Sequence, residues 1–385
     1  MSNVSDDKTP LILDYLKAMN SHQASDLYIT VGSAPMLRVD GHMTHASSDV
    51  LSYEDIDMML NAILTIRQKR TFETDMELNT SLDMGEFGRF RVNVLRQRQQ
   101  PAIVIRRIVS RIPSFSDLRL PNVLESLALQ NRGLILLTGI TGSGKSTTLA
   151  SMIDYRNERK EGHIITIEDP IEYYHEHKKS IVTQREIGVD TQSYQTAMKN
   201  ALRQRPDVML VGEIRDREVM EQAMMVTETG HLCLATIHTT NAYQAIERIV
   251  NLFPEEVNSQ VRLSLSMNLR AIISQRLLPS IDGGLVPAAE IMVNEGLVRE
   301  LILKGEITKI KDVMEQSSTL GMCTFDQSLL SLFADGLISE ETAITNSDKP
   351  SDLKIKIQQQ KLTSSETSRG SALSNFDTSS ISIRD

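Results

Sequence analysis

The stretch "LILLTGITGSGKSTTLASMIDYRNERK" constrains this chain more than any other. An apolar run ends in Gly139–Thr147, "GITGSGKST", which fits G-x-x-x-x-G-K-[ST], and a helical pattern follows at once. A strand apolar on both faces must lie inside a sheet, so the fold is built around a buried strand, a tight turn and a helix. The glycines let backbone N–H groups curl around phosphate oxygens, and the helix N-terminus adds partial positive charge. On this reading Gly139, Ile140, Thr141, Gly142, Ser143, Gly144, Lys145, Ser146 and Thr147 bind a nucleotide. Lys145 reaches the β- and γ-phosphates, and the Ser146 hydroxyl ligates Mg2+. No NKxD-type guanine-reading loop occurs, which favours ATP over GTP.

More apolar strands follow, "IITI", "VMLV" and "LCLAT", alternating with helical segments and each ending in a polar cluster. That alternation predicts a parallel sheet with crossover helices and functional loops at the strands' carboxyl ends. One strand ends in "EDPIEYYH", carrying Glu168, Asp169 and Glu172, and another in "GEIRD", carrying Glu213. A hydrolytic site needs one carboxylate at that edge to align water and others to hold the Mg2+ shell. Glu168 and Glu213 are the candidates for the metal. Gly212 sets Glu213 one residue beyond an ordinary acidic strand end, a position that suits contact through a water.

At 385 residues the chain predicts two domains. Residues 1–110 read as an α+β domain. It has a helix over 11–19, paired strands in "SDLYITVGSAPMLRVDGHM", a helix over 53–72 and two or three strands in "TSLDMGEFGRFRVNVLRQRQQPAIVIRRIV". Residues 111–124, with Pro113 and Pro121, read as a linker. Residues 125–345 form the nucleotide-binding domain, mainly helical from about 255, and 346–385 a tail that is disordered from about 361. Val261, Leu265, Leu269 and Ile272 read as one core-facing helix, and "FDQSLLSLFADGLI" as another.

A net charge of −9, 4% aromatics and no Trp argue against bulk nucleic-acid binding. Cys233 and Cys323 stand far apart with no CxxC, which excludes a cysteine-rich zinc module and suits a reducing compartment. The polar start "MSNVSDDKTP" is no signal peptide, and no apolar run approaches the ~20 residues that span a bilayer. A cytoplasmic protein is the expectation.

Four boxes in order carry a resemblance: "GITGSGKST", "TIEDPIEYYH", "RPDVMLVGEIRD" and "TGHLCLATIHTTNA". The chain resembles the secretion-type hexameric ATPases of type II secretion and type IV pili, and among them the pilus retraction ATPases, the PilT/PilU branch. The likeness runs from about residue 10 to 358 and includes "GRFRVNV" and "LRAIISQRLLP". "GLVRELILKGE" departs from the "AIRAGE"-like stretch of PilT and is more similar to PilU, the accessory motor.

The resemblance implies a RecA-like P-loop core, a smaller α+β (PAS-like) first domain and a helical C-terminal part. It implies ATP and Mg2+ as cofactors, and a hexamer powering pilus retraction and twitching motility. It also implies a PilT-type partner, a PilC-like platform protein, and a place at the cytoplasmic face of the inner membrane, with no zinc and no nucleic acid. By the same pattern Glu172 is the general base, Glu213 the Walker B glutamate, and His231 and His238 the histidine-box residues. Arg89, Arg91 and Arg106 match first-domain arginines that approach a neighbouring subunit's nucleotide. An arginine supplied to the γ-phosphoryl group is worth ~10³–10⁵ in rate. Arg205, in "RQRPD", stands where related sequences often have Asp, Asn or Ala.

Two other classes stay open from the residues alone: a RecA-like nucleic-acid translocase and a non-catalytic nucleotide-binding scaffold. The pair His231 and His238 is seven residues apart, which is neither helical metal spacing nor one face of a strand. A nucleotide sensor is the favoured reading, with the histidine that faces the phosphate left open.

Overall fold

A computed structural model describes residues 11–108, 111–317 and 321–373. The chain divides into two compact units, the first running to Ile112 and taking in Glu172–Tyr174, the second holding the rest.

In the first unit, helix α1 (Leu11–Ser21) precedes strands β1 (Asp26–Thr30), β2 (Met36–Val39) and β3 (His42–His45). Helices α2 (Tyr53–Ile63) and α3 (Ile66–Asp75) then lead to β4 (Glu77–Asp83), β5 (Arg89–Gln97) and β6 (Gln100–Ile108). The six strands form an antiparallel sheet in the order β3-β2-β1-β6-β5-β4. Alternation in β5 sends Phe90, Val92 and Val94 into a core with Ile12, Leu16, Ile56 and Met59, and leaves Arg89 and Arg91 on the other face. The single helix expected over 53–72 is two. Leu64 is extended, and Thr65 starts α3 with a reciprocal cap to Gln68.

The second unit opens with Pro113, so the stretch read as a linker is packed rather than free. Phe115, Leu120 and Leu124 are buried in the main core, and Ser151 Oγ donates to the Pro113 carbonyl at 2.7 Å. After α4 (Val123–Ala128) the elements alternate: β7 (Gly133–Thr138), α5 (Lys145–Arg159), β8 (Gly162–Glu168), β9 (Ser180–Glu186), α6 (Tyr194–Ala201), β10 (Val208–Val211), α7 (Arg217–Glu228), β11 (Leu232–Ile237) and α8 (Ala242–Asn251). Helix α9 (Asn258–Asn268) leads into a hairpin of β12 (Leu269–Pro279) and β13 (Leu285–Val293). The sheet order is β13-β12-β7-β11-β10-β8-β9, with β13 alone antiparallel to its neighbour. Strands β7, β10 and β11 are buried throughout, as runs apolar on both faces require.

Beyond 255 the described chain is mainly helical, as read, and the hairpin is the exception that reading missed. Val261 and Leu265 lie in α9, but Leu269 and Ile272 belong to β12. The buried Asn294 side chain donates to the Leu265, Ser266 and Leu269 carbonyls, satisfying the end of α9 and stopping it there. Helices α10 (Leu297–Lys304), α11 (Ile310–Gln316), α12 (Phe325–Ala334), α13 (Glu340–Thr345) and α14 (Pro350–Leu373) complete the unit. Phe325, Leu329 and Leu332 of α12 pack with Leu278, Val286 and Ala288 of the hairpin and with Leu353 and Ile357 of α14. Helix α14 carries the described chain to Leu373. Residues 374–385 lie outside the described residues.

Candidate functional site

The phosphate loop follows β7 and ends on α5, as the motif requires. Gly144 takes φ +88, and a Cβ there would stand 2.8 Å from Gln275 Nε2 of β12, so only glycine fits. Gln275 is itself buried, and its Oε1 accepts from Thr148 Oγ at 2.8 Å. The loop therefore leans on a side chain from a strand 130 residues later in the sequence, which local reading passed over. Lys145 is buried, and its Nζ donates to the Gly139 and Ile140 carbonyls at 2.8 Å each. Burial pushes its pKa down, opposed by the charge of Glu213. Lys145 and Glu213 thus share one site. The Ser143 hydroxyl is buried with no hydrogen-bond partner among the described residues.

Glu213 follows Gly212 at the carboxyl end of β10. The turn is held by Thr236 Oγ1 donating to the Gly212 carbonyl at 2.6 Å and by Ile214 N–H donating to the Thr236 carbonyl at 2.8 Å. The Glu213 carboxylate faces His238 Nε2 at 3.0 Å and accepts from Arg215 Nε at 2.8 Å. Arg215 also approaches Asp169 Oδ2 at 3.4 Å. Glu168, at the end of β8, accepts from Thr166 Oγ1 at 2.6 Å and Gln184 Nε2 at 3.4 Å. Hydroxyl and carboxylate oxygens on one sheet edge beside the loop suit a hard divalent cation.

His238 is placed by the segment after β11. Thr239 N–H donates to Thr138 Oγ1 at 3.1 Å, and Asn241 caps α8 by accepting from Gln244 N–H at 3.0 Å. Buried Glu290 of β13 accepts from Ala242 N–H at 2.8 Å, and burial pushes its pKa up.

The two histidines are separated. His231 stands at the amino end of β11, where its carbonyl accepts from Gly133 N–H at 3.0 Å and its Nδ1 lies 3.0 Å from Thr229 Oγ1. Seven residue steps at about 3.3 Å each put it roughly 23 Å from His238, at the opposite sheet edge from the loop. His231 therefore stands away from this chain's own phosphate loop, since parallel strands carry only their carboxyl ends to that edge.

The remaining candidates lie in the first unit. Glu172 falls within Glu172–Tyr174. Arg106 and Arg91 are directly opposite across β5 and β6, and Arg106 is opposite Asp26 of β1. Arg106 Nε donates to buried Asp26 at 2.7 Å, which raises its pKa despite some burial. Among the described residues Arg91 has no carboxylate partner.

Beside Gly144, Thr147 and Thr148 opens a cavity of about 370 Å³. Asp117, Arg119, Leu277, Asp282 and Val286 are among its lining residues. None of these stood out in the sequence, because the lining comes from the supposed linker and from a hairpin read as helix.

Residues 5–294 match the Type II/IV secretion system protein family. The chain is 45% identical to the type IV pilus ATPase PilU of Pseudomonas aeruginosa over 89% of its own length and 90% of that protein. It is 42% identical to the type IV pilus retraction ATPase PilT of the same organism, over 83% and 93%. A solved structure of the pilus retraction motor PilT with bound ADP aligns with TM-score 0.84 at 42% identity, covering 89% of this chain and 98% of that one. The Legionella pneumophila ATPase DotB aligns with TM-score 0.77 at 27% identity, covering 89% and 97%. With its RecA-like core and intact nucleotide-binding loop, the chain is an ATPase and belongs to the Type II/IV secretion system protein family.

Proposed function

We propose that this chain is the subunit of a hexameric motor that powers type IV pilus retraction. In this reading it is a PilU-type accessory motor working beside a PilT-type ATPase on a PilC-like platform protein at the cytoplasmic face of the inner membrane. The observation that carries the proposal is the Glu213–His238 pair, 3.0 Å apart and within the electrostatic reach of Lys145. The names of its relatives, PilU, PilT and a twitching motility protein of Neisseria gonorrhoeae, supply the biological setting. Among the described residues no helix is long and apolar enough to cross a membrane, so docking on a membrane platform is the consistent arrangement.

The triphosphate lies along Gly139–Thr147, with Lys145 leaving its loop carbonyls for phosphate oxygens. The adenosine half enters the cavity beside Gly144 and Thr147. Ser146, with Glu168 and Glu213 through water, would hold Mg2+, and that ion would supply charge neutralisation at the phosphoryl group. Glu172 activates the attacking water, and His238 reads the γ-phosphate and passes its presence to Glu213. Arg89 and Arg91 are the arginines offered to a neighbouring subunit, since Arg106 is engaged by Asp26.

Purified protein tests the chemistry. Lys145→Ala abolishes hydrolysis, and Glu172→Gln binds ATP without turning it over. Normal hydrolysis by the Glu172→Gln variant would sink the base assignment. Light scattering with ATP present reads the ring. Deletion in a piliated host, scored for retraction with and without the PilT-type ATPase, separates an accessory motor from an autonomous one.

A further inference from the structure

We propose that Tyr194 is a positioning residue for the hydrolytic step, its phenol hydroxyl setting where the Glu213 carboxylate stands. The inference rests on the reading of this sheet edge as the hydrolytic site.

Tyr194 opens α6 immediately after its cap, Ser193, whose hydroxyl accepts from Thr196 N–H. The residue is 9% exposed and its ring packs in the main core. The hydroxyl sits at the carboxyl edge, 2.9 Å from where a Cβ on Gly212 would be. The same Cβ would lie 3.3 Å from both the Ile167 carbonyl and Glu168 Cα. The charges of Asp169, Arg215, Glu213 and Glu168 all act on the phenol.

These contacts account for the glycine between the apolar strand and its glutamate. Any side chain at 212 meets the Tyr194 hydroxyl, so the hydroxyl and the end of β10 are fitted to each other. Glu213 is the next residue, and its orientation is inherited from that fit. Packing alone would be served by phenylalanine. Phenylalanine would lack the oxygen that meets Gly212, so the end of β10, and Glu213 with it, would gain freedom to shift.

The test uses the full-length protein with Tyr194→Phe, Gly212→Ala and the double variant. Tyr194→Phe keeps the ring, so its thermal midpoint stays at the wild-type value. Its kcat falls about 10- to 100-fold, with the KM for ATP changed by less than about twofold. Gly212→Ala lowers the thermal midpoint through the clash, and adding Tyr194→Phe restores part of it. A kcat for Tyr194→Phe within about twofold of wild type overturns the proposal, as does a double variant no more stable than Gly212→Ala alone. The underlying reading fails differently: hydrolysis would survive Lys145→Ala. If Lys145 is essential while Tyr194→Phe is fully active, only the Tyr194 assignment falls.

Discussion

His175 is a buried base that closes the acidic box "TIEDPIEYYH", and its burial has a measurable consequence. The residue is 4% exposed, and its Nδ1 has no partner among the described residues. Its backbone N–H donates to Gln184 Oε1 at 2.8 Å. Burial pushes its pKa from 6.5 down to about 4, with Asp154 pulling it up and Lys178 pushing it further down. The folded chain therefore holds the imidazole neutral over a range in which the unfolded chain binds a proton. Above pH 6.5 both states are neutral and the group contributes nothing. As pH falls from 6.5 to about 4, stability drops by about 1.36 kcal/mol per unit. Those 2.5 units amount to about 3 kcal/mol, with roughly 2 already lost at pH 5. Below pH 4 both states carry the proton and the loss levels off.

Two measurements check this. NMR titration of the imidazole should show no protonation shift above pH 5. Urea unfolding at pH 7.5 and pH 5 should give a pH-dependent loss that is smaller in His175→Gln by about 2 kcal/mol. An imidazole that titrates near pH 6.5, or a variant with the wild-type pH dependence, would refute the reasoning.

Three further outcomes are expected. His238→Ala should lower kcat about 10- to 100-fold while ATP affinity holds, read by phosphate release and fluorescent-nucleotide binding; equal loss of affinity would contradict a sensing role. Arg205 has φ +52, in the left-handed region, so Arg205→Asn should stabilise the chain by about 0.5–1 kcal/mol in urea unfolding. Leu277→Trp fills the cavity beside Gly144 and should weaken ATP binding at least about tenfold by calorimetry, with pyrophosphate affinity unchanged.

The buried parallel strands were legible because their chemistry is local: "LILLT", "VMLV" and "LCLAT" are apolar on both faces, which only an interior strand sustains. The errors arose where the decisive contact is distant. The spacing of Val261, Leu265 and Leu269 continues a helical pattern, and what ends α9 is Asn294, a side chain beyond the next hairpin. Strand β9 went unassigned for another reason. It lies at the sheet edge, where Ile181 is exposed and burial is mixed, so its sequence carries no clean alternation. The break between α2 and α3 was written locally, in Thr65 and Gln68, but the apolar stripe of α2, which runs up to Leu64, hid it. Arg205 is similar: its backbone is left-handed, and no side-chain pattern announces it.

The site divides along the same line. Lys145 and Glu213 could be named from spacing because each lies within a few residues of a buried strand's carboxyl end. Topology then decides what spacing cannot. His231 and His238 flank one strand, and in a parallel sheet the two ends of a strand face opposite edges, so only His238 meets Glu213. The groups that hold this arrangement are the least legible. Gln275 presses on Gly144, Glu290 holds the first turn of α8, and Tyr194 confines Gly212, each arriving from another strand or helix. A carboxylate at the sheet edge beside a phosphate loop is common chemistry. Its activity depends on which distant side chains fix its direction, and those are chosen by sheet order rather than by any motif.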